Sequence, residues 1–313
     1  SGNDRIRIGL VGCGGRGTGA AIDAVSAEPS VQITCMADTF ADQIESSAAV
    51  LAARAPSAFD CPRSRRFVGL DAWREVVSSD VDVVILATPP AFRPLQAAAT
   101  IAAGKHVWCE TPGAIDAAGA TVLAAAARDA AAHGLSFACG LAERHDPRMV
   151  ELVARIRDGA WGTPLAVTVR ADLGLPWHRP RTPDVTATAD GLRNWISHPR
   201  WSGGHFVERH VAAIDKALWV LGDVDPEVAL PDATAGGVRF LVAGGGRIDA
   251  SLHRRVNSTG TIEEGVQCTA GVVDLRRPAA APNGDHHPLR LAMAAMLQGL
   301  RCGRRADEGT RLC

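Results

Sequence analysis

The sequence predicts a two-part α/β chain: a doubly wound parallel sheet first, then an α+β domain built on an open, mostly antiparallel sheet. Three observations predict it. Residues 6 to 38 run strand, glycine-rich turn, helix, strand, acid; short apolar runs then alternate with helical patterns as far as Cys139; and from Glu143 the texture changes to long strand-like runs. At 313 residues the chain exceeds what one core fills, and its 47% hydrophobic content is enough for two. The expected domains are residues 1–140 and 141–313.

The opening run Ile6-Arg7-Ile8-Gly9-Leu10-Val11 leads into Gly12-Cys13-Gly14-Gly15-Arg16-Gly17. In such a turn the first glycine permits the tight bend, the second lets backbone approach a pyrophosphate, and the third lets the helix pack on the strand. The helix N-terminus adds N–H groups and the positive end of its dipole. A second apolar run, Val31 to Ala37, ends on Asp38, about 20 residues past Gly17, where an acid accepts hydrogen bonds from a ribose 2′-hydroxyl. An acid there repels a 2′-phosphate. The stretch predicts dinucleotide binding, with NAD favoured over NADP.

After Asp38 the Ala-rich segment 41–53 reads as a helix and 71–78 as a shorter one. The run 81–87 is a buried strand ended by Thr88-Pro89-Pro90; 93–103 is helical, 105–109 a strand, 114–133 a long helix and 135–139 a further strand. In the second half a helix over 148–158 and a Gly159/Gly162 turn precede strand-like runs around 164–172, 238–243, 247–255 and 261–275. Segment 173–204 is too long for an idle connection. Its Trp177, His178, Arg179, Arg193, Asn194, Trp195 and Trp201 are either a ligand-binding set or packing for the sheet face.

Composition excludes some partners. The formal net charge is −1, and the basic clusters (Arg63, Arg65 and Arg66; Arg301, Arg304 and Arg305) are short and scattered, so no face suits a nucleic-acid backbone. The Ala-rich stretch 113–132 is interrupted by Asp116, Arg128 and Asp129, and no uncharged run reaches about 18 residues, so no membrane span is expected. Eight dispersed cysteines without a CxxC pair read as small core residues of a soluble chain in a reducing, cytoplasmic compartment. The start at Ser1 leaves export with a removed leader open.

With these elements placed, the chain resembles the Gfo/Idh/MocA oxidoreductases, the glucose-fructose oxidoreductase and inositol dehydrogenase family, over nearly its whole length. The resemblance rests on Gly12-Cys-Gly14-Gly15-Arg16-Gly17-Thr-Gly19, Ala87-Thr88-Pro89-Pro90, Gly104-Lys105-His106-Val107, Asp158-Gly159-Ala-Trp-Gly162, and Arg193-Asn194-Trp195 followed by Ser202-Gly203-Gly204-His205-Phe-Val-Glu208-Arg-His210. The last two are similar to a subgroup that often carries export leaders. The resemblance implies an N-terminal Rossmann domain holding NAD or NADP, a C-terminal sheet domain through whose exposed face copies pair, and redox chemistry on sugars, inositols and related ketones. The candidate cofactor-binding residues are then Gly12, Gly14, Gly15, Arg16, Gly17, Asp38, Thr88, Pro89, Pro90, Glu110 and Thr111. It also implies that Arg144, at the domain junction, touches substrate or cofactor, a domain-boundary ion pair being the alternative. His178, Arg193, Asn194 and Trp195 join it as candidate substrate-binding residues.

Two departures stand out. Members commonly carry Glu-Lys-Pro after the fourth strand, the lysine polarising the substrate oxygen; here the residues are Glu110-Thr111-Pro112, and the chain holds only two lysines, Lys105 and Lys216. Thr111 donates a hydrogen bond but supplies no charge. The family's acid, then histidine four residues on, then acid three further, anchored on Asp215, gives Glu208 and Ala212. At about 100° per residue 208, 212 and 215 share a helical face, while 210 points about 160° away from 208. Anchoring on Gly203-Gly204 instead places His210 near the histidine of a glycosidase branch.

Removing a hydroxyl proton needs a base within hydrogen-bond reach, and the candidates are His210, His205 and Glu208, with His178 as an outsider. Each histidine has a structural reading as well, and Glu208 also suits binding of sugar hydroxyls. His205, Glu208 and His210 do not converge on a helix, so no metal site is expected. Three functions compete. The first is an NAD-dependent oxidoreductase on a sugar, polyol or keto-sugar. The second is an NAD-dependent glycosidase working by transient oxidation and elimination, against which stands the absence of any Tyr for that branch's motif. The third is an NAD-binding protein without catalysis, suggested by both departures and by the few residues after Ala306-Asp307-Glu308-Gly309.

Overall fold

The computed structural model describes residues 5–181, 185–232, 236–258, 260–276 and 287–301. They form two compact units, one running to Ala142 and taking in the C-terminal helix, the other starting at Glu143.

The first unit is a six-stranded sheet of β1 (Ile6–Val11), β2 (Val31–Asp38), β3 (Arg66–Val68), β4 (Val83–Leu86), β5 (His106–Cys109) and β6 (Phe137–Cys139), with the crossover helices α1 (Gly15–Ala27), α2 (Ala41–Arg54), α3 (Trp73–Ser78), α4 (Arg93–Ala102) and α5 (Ala117–Ala132). The strand order is β3-β2-β1-β4-β5-β6 and every pairing is parallel. Both faces are covered, which is why the strands read as unbroken apolar runs. Ile8, Leu10, Ile33 and Ile85 pack with Ala20, Ala24, Ile44 and Leu51 on one face, and Val11, Val84, Leu86 and Val107 with Trp73, Ala97 and Leu123 on the other. Chain order reverses between β1 and β4, and that switch point opens a crevice at their carboxyl ends. The helix expected from 114 starts at Ala117 because Asp116 caps it, accepting from Gly119 N at 2.8 Å.

The second unit contains α6 (Pro147–Arg157), β7 (Pro164–Leu173), α7 (Ala187–Arg193), α8 (Pro199–Ser202), α9 (Gly204–Val220), β8 (Pro226–Asp232), β9 (Gly237–Val242), β10 (Arg247–Arg254), β11 (Thr261–Cys268) and β12 (Gly271–Asp274). The sheet order is β12-β11-β7-β10-β9-β8; β7 and β10 run parallel and the other neighbours antiparallel. Ala213, Ala217 and Val220 of α9 pack with Val167, Val169, Ile248 and Ala250 of the sheet. Three differences from expectation have local causes. The run 261–275 is a hairpin turning at Thr269-Ala270, β8 carries Pro226 and Pro231 as an edge strand can, and segment 173–204 contains α7 and α8.

The last helix, α10 (Pro288–Arg301), corrects the expected division at 140/141 with everything after it in the second domain. Its Ala292, Met293, Met296 and Leu297 join the core of α1's Ala20, Ala21 and Ala24, and Arg301 pairs with Glu28 at 3.1 Å. No described helix is long and apolar enough to cross a membrane. Cys13, Cys35, Cys61, Cys109 and Cys268 are buried and free. Cys139 is disulfide-bonded, which overturns the expectation of uniformly reduced cysteines. Cys302, Cys313, Arg304, Arg305 and residues 306–309 lie outside the described residues.

Candidate functional site

The glycine turn sits at the switch point, and its glycines do different things. Gly12 has φ +92°, and a Cβ there would stand 2.6 Å from the Ala87 carbonyl carbon, so the end of β4 closes on the turn. A Cβ on Gly17 would fall 1.8 Å from Gly12 O, so α1 presses directly on the turn. Gly14 and Gly15 face open space instead: a Cβ on Gly14 would meet only Gln43 Oε1 at 3.9 Å, and one on Gly15 nothing within 4 Å. Gly14 caps α1 without a side-chain cap, leaving first-turn N–H groups and the dipole's positive end for an anion. Asp38 is fixed beside them, accepting from Cys13 N at 2.7 Å and Phe40 N at 2.9 Å. An open backbone cradle with a helix N-terminus and a fixed acid fits a dinucleotide.

The loops after β4 and β5 are joined by a residue that sequence reasoning missed. Arg93, 3% exposed at the start of α4, donates from Nε to Thr88 O at 2.6 Å and from Nη1 to Glu110 O at 2.8 Å and Pro112 O at 2.6 Å. One guanidinium thus holds both flanks of Thr111, which is half-buried and precedes a cis peptide to Pro112. A signal was present, since a cation in a helix's first turn opposes the dipole and calls for another partner. Thr88 Oγ1 donates to Gln96 Oε1 at 2.6 Å, and Pro89 and Pro90 lie in the same loop. Glu110 is turned inward: it is 3% exposed, accepts from Trp108 Nε1 at 2.9 Å, and has Arg16 Nε at 3.5 Å. Arg16 also pairs with Asp23 at 2.9 Å, so it bridges two acids.

In the second unit α9 is helical throughout, so Glu208, Ala212 and Asp215 share one face. His210, one of the catalytic candidates, is held against the sheet. It points the other way, is 2% exposed, and has Nε2 2.9 Å from Ser251 O of β10 with Phe206 edge-on at 4.8 Å. Burial pushes its imidazole down, and the Ser251 bond only partly opposes this. Arg144 makes the ion pairs of its alternative reading: its guanidinium holds Asp215 through two bonds of 2.8 Å and Asp223 at 3.0 Å. Asn194 is 1% exposed and clasps Arg179, accepting from its N at 2.7 Å and donating to its O at 3.1 Å. Both residues are consumed by local structure. His178 is exposed, and Arg193 and Trp195 are half-buried.

Lys216 offers no spare cation, being buried with Nζ 2.6 Å from Glu143 and 2.5 Å from Glu264. What α9 brings together is His205 and Glu208, with Arg254 of β10 among their charged neighbours. His205 Nδ1, Glu208 Oε2 and Arg254 Nε are buried without hydrogen-bond partners. Burial first, then Arg254, pushes the His205 imidazole below its usual range, with Glu208 opposing. Among the described residues no group of three or more His, Cys, Asp and Glu is placed to hold a metal ion.

Known proteins are similar to parts of this chain. Residues 6–135 match the Gfo/Idh/MocA family model, described as an oxidoreductase family with an NAD-binding Rossmann fold. A glycosyl hydrolase family 109 protein of Solibacter usitatus (strain Ellin6076) is 37% identical over 116 residues, 36% of this chain and 25% of that relative. Inositol 2-dehydrogenase of Acidothermus cellulolyticus is 29% identical over 194 residues, 62% of this chain and 51% of that relative. The matches therefore span about half or less of these relatives' length. The crystal structure of apo scyllo-inositol dehydrogenase from Lactobacillus casei superposes with a TM-score of 0.68 at 16% identity, covering 100% of this chain and 92% of that one, which shows a common fold. The glycine turn at the switch point and the fixed acid both lie within the residues 6–135 that match the Gfo/Idh/MocA family model and its NAD-binding Rossmann fold.

Proposed function

We propose that the chain is an NAD-dependent oxidoreductase acting on a sugar, polyol or related keto-sugar. The observation that carries this reading is the open cradle of Gly14 and Gly15 beside the fixed Asp38. NAD, when bound, supplies the nicotinamide carbon that takes up or returns hydride. The first-turn N–H groups of α1 hold the pyrophosphate, and Asp38 takes the ribose hydroxyls and repels a 2′-phosphate, which favours NAD over NADP. Thr111 offers a hydroxyl where the family has lysine, and Arg93 keeps that loop in place. The role of base passes from His210 to His205, whose imidazole is held neutral by its burial and by Arg254, the state in which it takes a proton. Glu208 accepts substrate hydroxyls.

The test is a panel of inositols, aldoses and keto-sugars with NAD or NADH, followed by NADH absorbance, beside calorimetry with NAD and NADP. Turnover of one substrate and tighter binding of NAD are expected; silence across the panel ends the oxidoreductase reading. One observation favours a second reading, a protein that holds NAD without catalysis: Ala212 stands at the histidine position and both lysines are engaged, Lys105 Nζ donating to Ser79 O at 2.8 Å and Val81 O at 2.9 Å. Tight NAD binding with no turnover would establish it. The glycosidase reading draws on the likeness to family 109 relatives, while the contact of His210 with Ser251 O weighs against His210 as its acid/base. Nitrophenol release from aryl glycosides without net NADH is its measurement.

A further inference from the structure

Arg254 ends a stripe that is otherwise apolar. Along β10, Ile248, Ala250, Leu252 and Arg254 alternate onto one face, and Ile248 and Ala250 lie in the core beneath α9. The contact of His210 Nε2 with Ser251 O ties the helix to the strand just before Arg254, so the turn of α9 that precedes His210 lies toward the strand's end. That turn carries His205 and Glu208. Arg254 Nη1 is taken by Gly174 O at 2.5 Å, which fixes the guanidinium plane while Nε stays unpartnered.

Buried polar groups are normally paired, so three unpaired ones whose side chains act on one another electrostatically point to a polar molecule that completes them. Their chemistry narrows its class. The charged groups acting on Arg254 are Arg209, which is exposed, and Glu208, so two guanidinium groups stand against one carboxylate. Burial, then Arg209, pushes the Arg254 guanidinium down against the pull of Glu208, the condition that an added anion relieves. A single missing charge matches a carboxylate better than a phosphate, which carries nearly two.

Building on the sugar oxidoreductase reading, we propose that the substrate is an acidic sugar whose carboxylate is received by Arg254, with a neighbouring hydroxyl on Glu208 and another on His205 Nδ1. The experiment is calorimetry on the NAD-saturated full chain with D-glucuronate against D-glucose and D-galacturonate against D-galactose, with glucose 6-phosphate as the phosphate arm. At least one uronate binds about tenfold or more tighter than its neutral partner, and Arg254→Gln removes that preference while NAD affinity holds. Should Arg254→Gln not fold, Arg254→Lys, which keeps the charge and loses the Nε donor, weakens the uronate selectively. Equal binding of acid and neutral sugar, binding of neither uronate, preference for the phosphate, or a uronate preference that survives the arginine replacements overturns the proposal. The NAD titration reports separately on the underlying reading: failure to bind NAD removes the oxidoreductase, whatever the sugars do.

Discussion

Gly15 and Gly17 are separated only by Arg16, yet they answer to different demands. A Cβ on Gly17 meets Gly12 O at 1.8 Å, a backbone atom that cannot step aside, whereas a Cβ on Gly15 enters open space, where the proposed cofactor would lie. Gly17→Ala therefore costs about 1–3 kcal/mol or more of stability and loses NAD with it. Gly15→Ala sits at the first position of α1, where alanine favours helix by up to about 1 kcal/mol, so Tm holds while NAD affinity falls about tenfold. Tm and NAD calorimetry on the pair check this; equal Tm losses would sink it. The packing role of Gly17 was legible because a glycine's place in a strand-turn-helix unit fixes its surroundings locally. Arg93 was not legible, because its three carbonyl partners belong to Thr88, Glu110 and Pro112, on loops that only the folded sheet brings together.

At the scale of the element, α9 explains why the site was only half-readable. The sequence gives His205, Glu208 and His210 as near neighbours, but rotation by about 100° per residue sends His210 to the sheet. Which side of a helix is buried depends on strands β7 and β10, remote in sequence. The consequence is measurable as pH dependence. Burial lowers the imidazole of His210, and also those of His106 and His145, below the unfolded value of about 6.5. The unfolded chain then binds protons that the folded one refuses, so their stabilising contribution is complete above about pH 6.5 and is lost as pH falls toward the folded values. Each such histidine contributes a slope of up to about 1.4 kcal/mol per pH unit in that window. Urea unfolding from pH 7.5 down to 5 should show this fall, and His210→Gln should make it shallower while NAD affinity stays unchanged. A parallel curve for the variant would mean that His210 titrates normally.

The whole molecule is organised by a return that the sequence does not announce. Adjacency assigned residues 288–301 to the second domain, whereas α10 completes the core around α1, whose N-terminus forms the cofactor cradle. Nothing local encodes that return, because the apolar face of α10 suits any apolar partner, and only the alanine face of α1, more than 260 residues earlier, selects it. A dependence follows between the chain's last described helix and its first motif. Met296 is 1% exposed within this core. Met296→Asp buries an unpaired charge there and costs about 3–5 kcal/mol, a large part of the roughly 5–15 kcal/mol that holds a domain together. The first unit should then unfold earlier and NAD binding should weaken or vanish, although Met296 belongs to no candidate site. The second unit, whose core of Val167, Ile248, Ala213 and Ala217 draws on no residue of α10, should keep its own transition. Calorimetric melting with and without NAD separates the two. If the Met296→Asp protein melts as the parent does and binds NAD with parental affinity, α10 is not part of the cofactor unit's core.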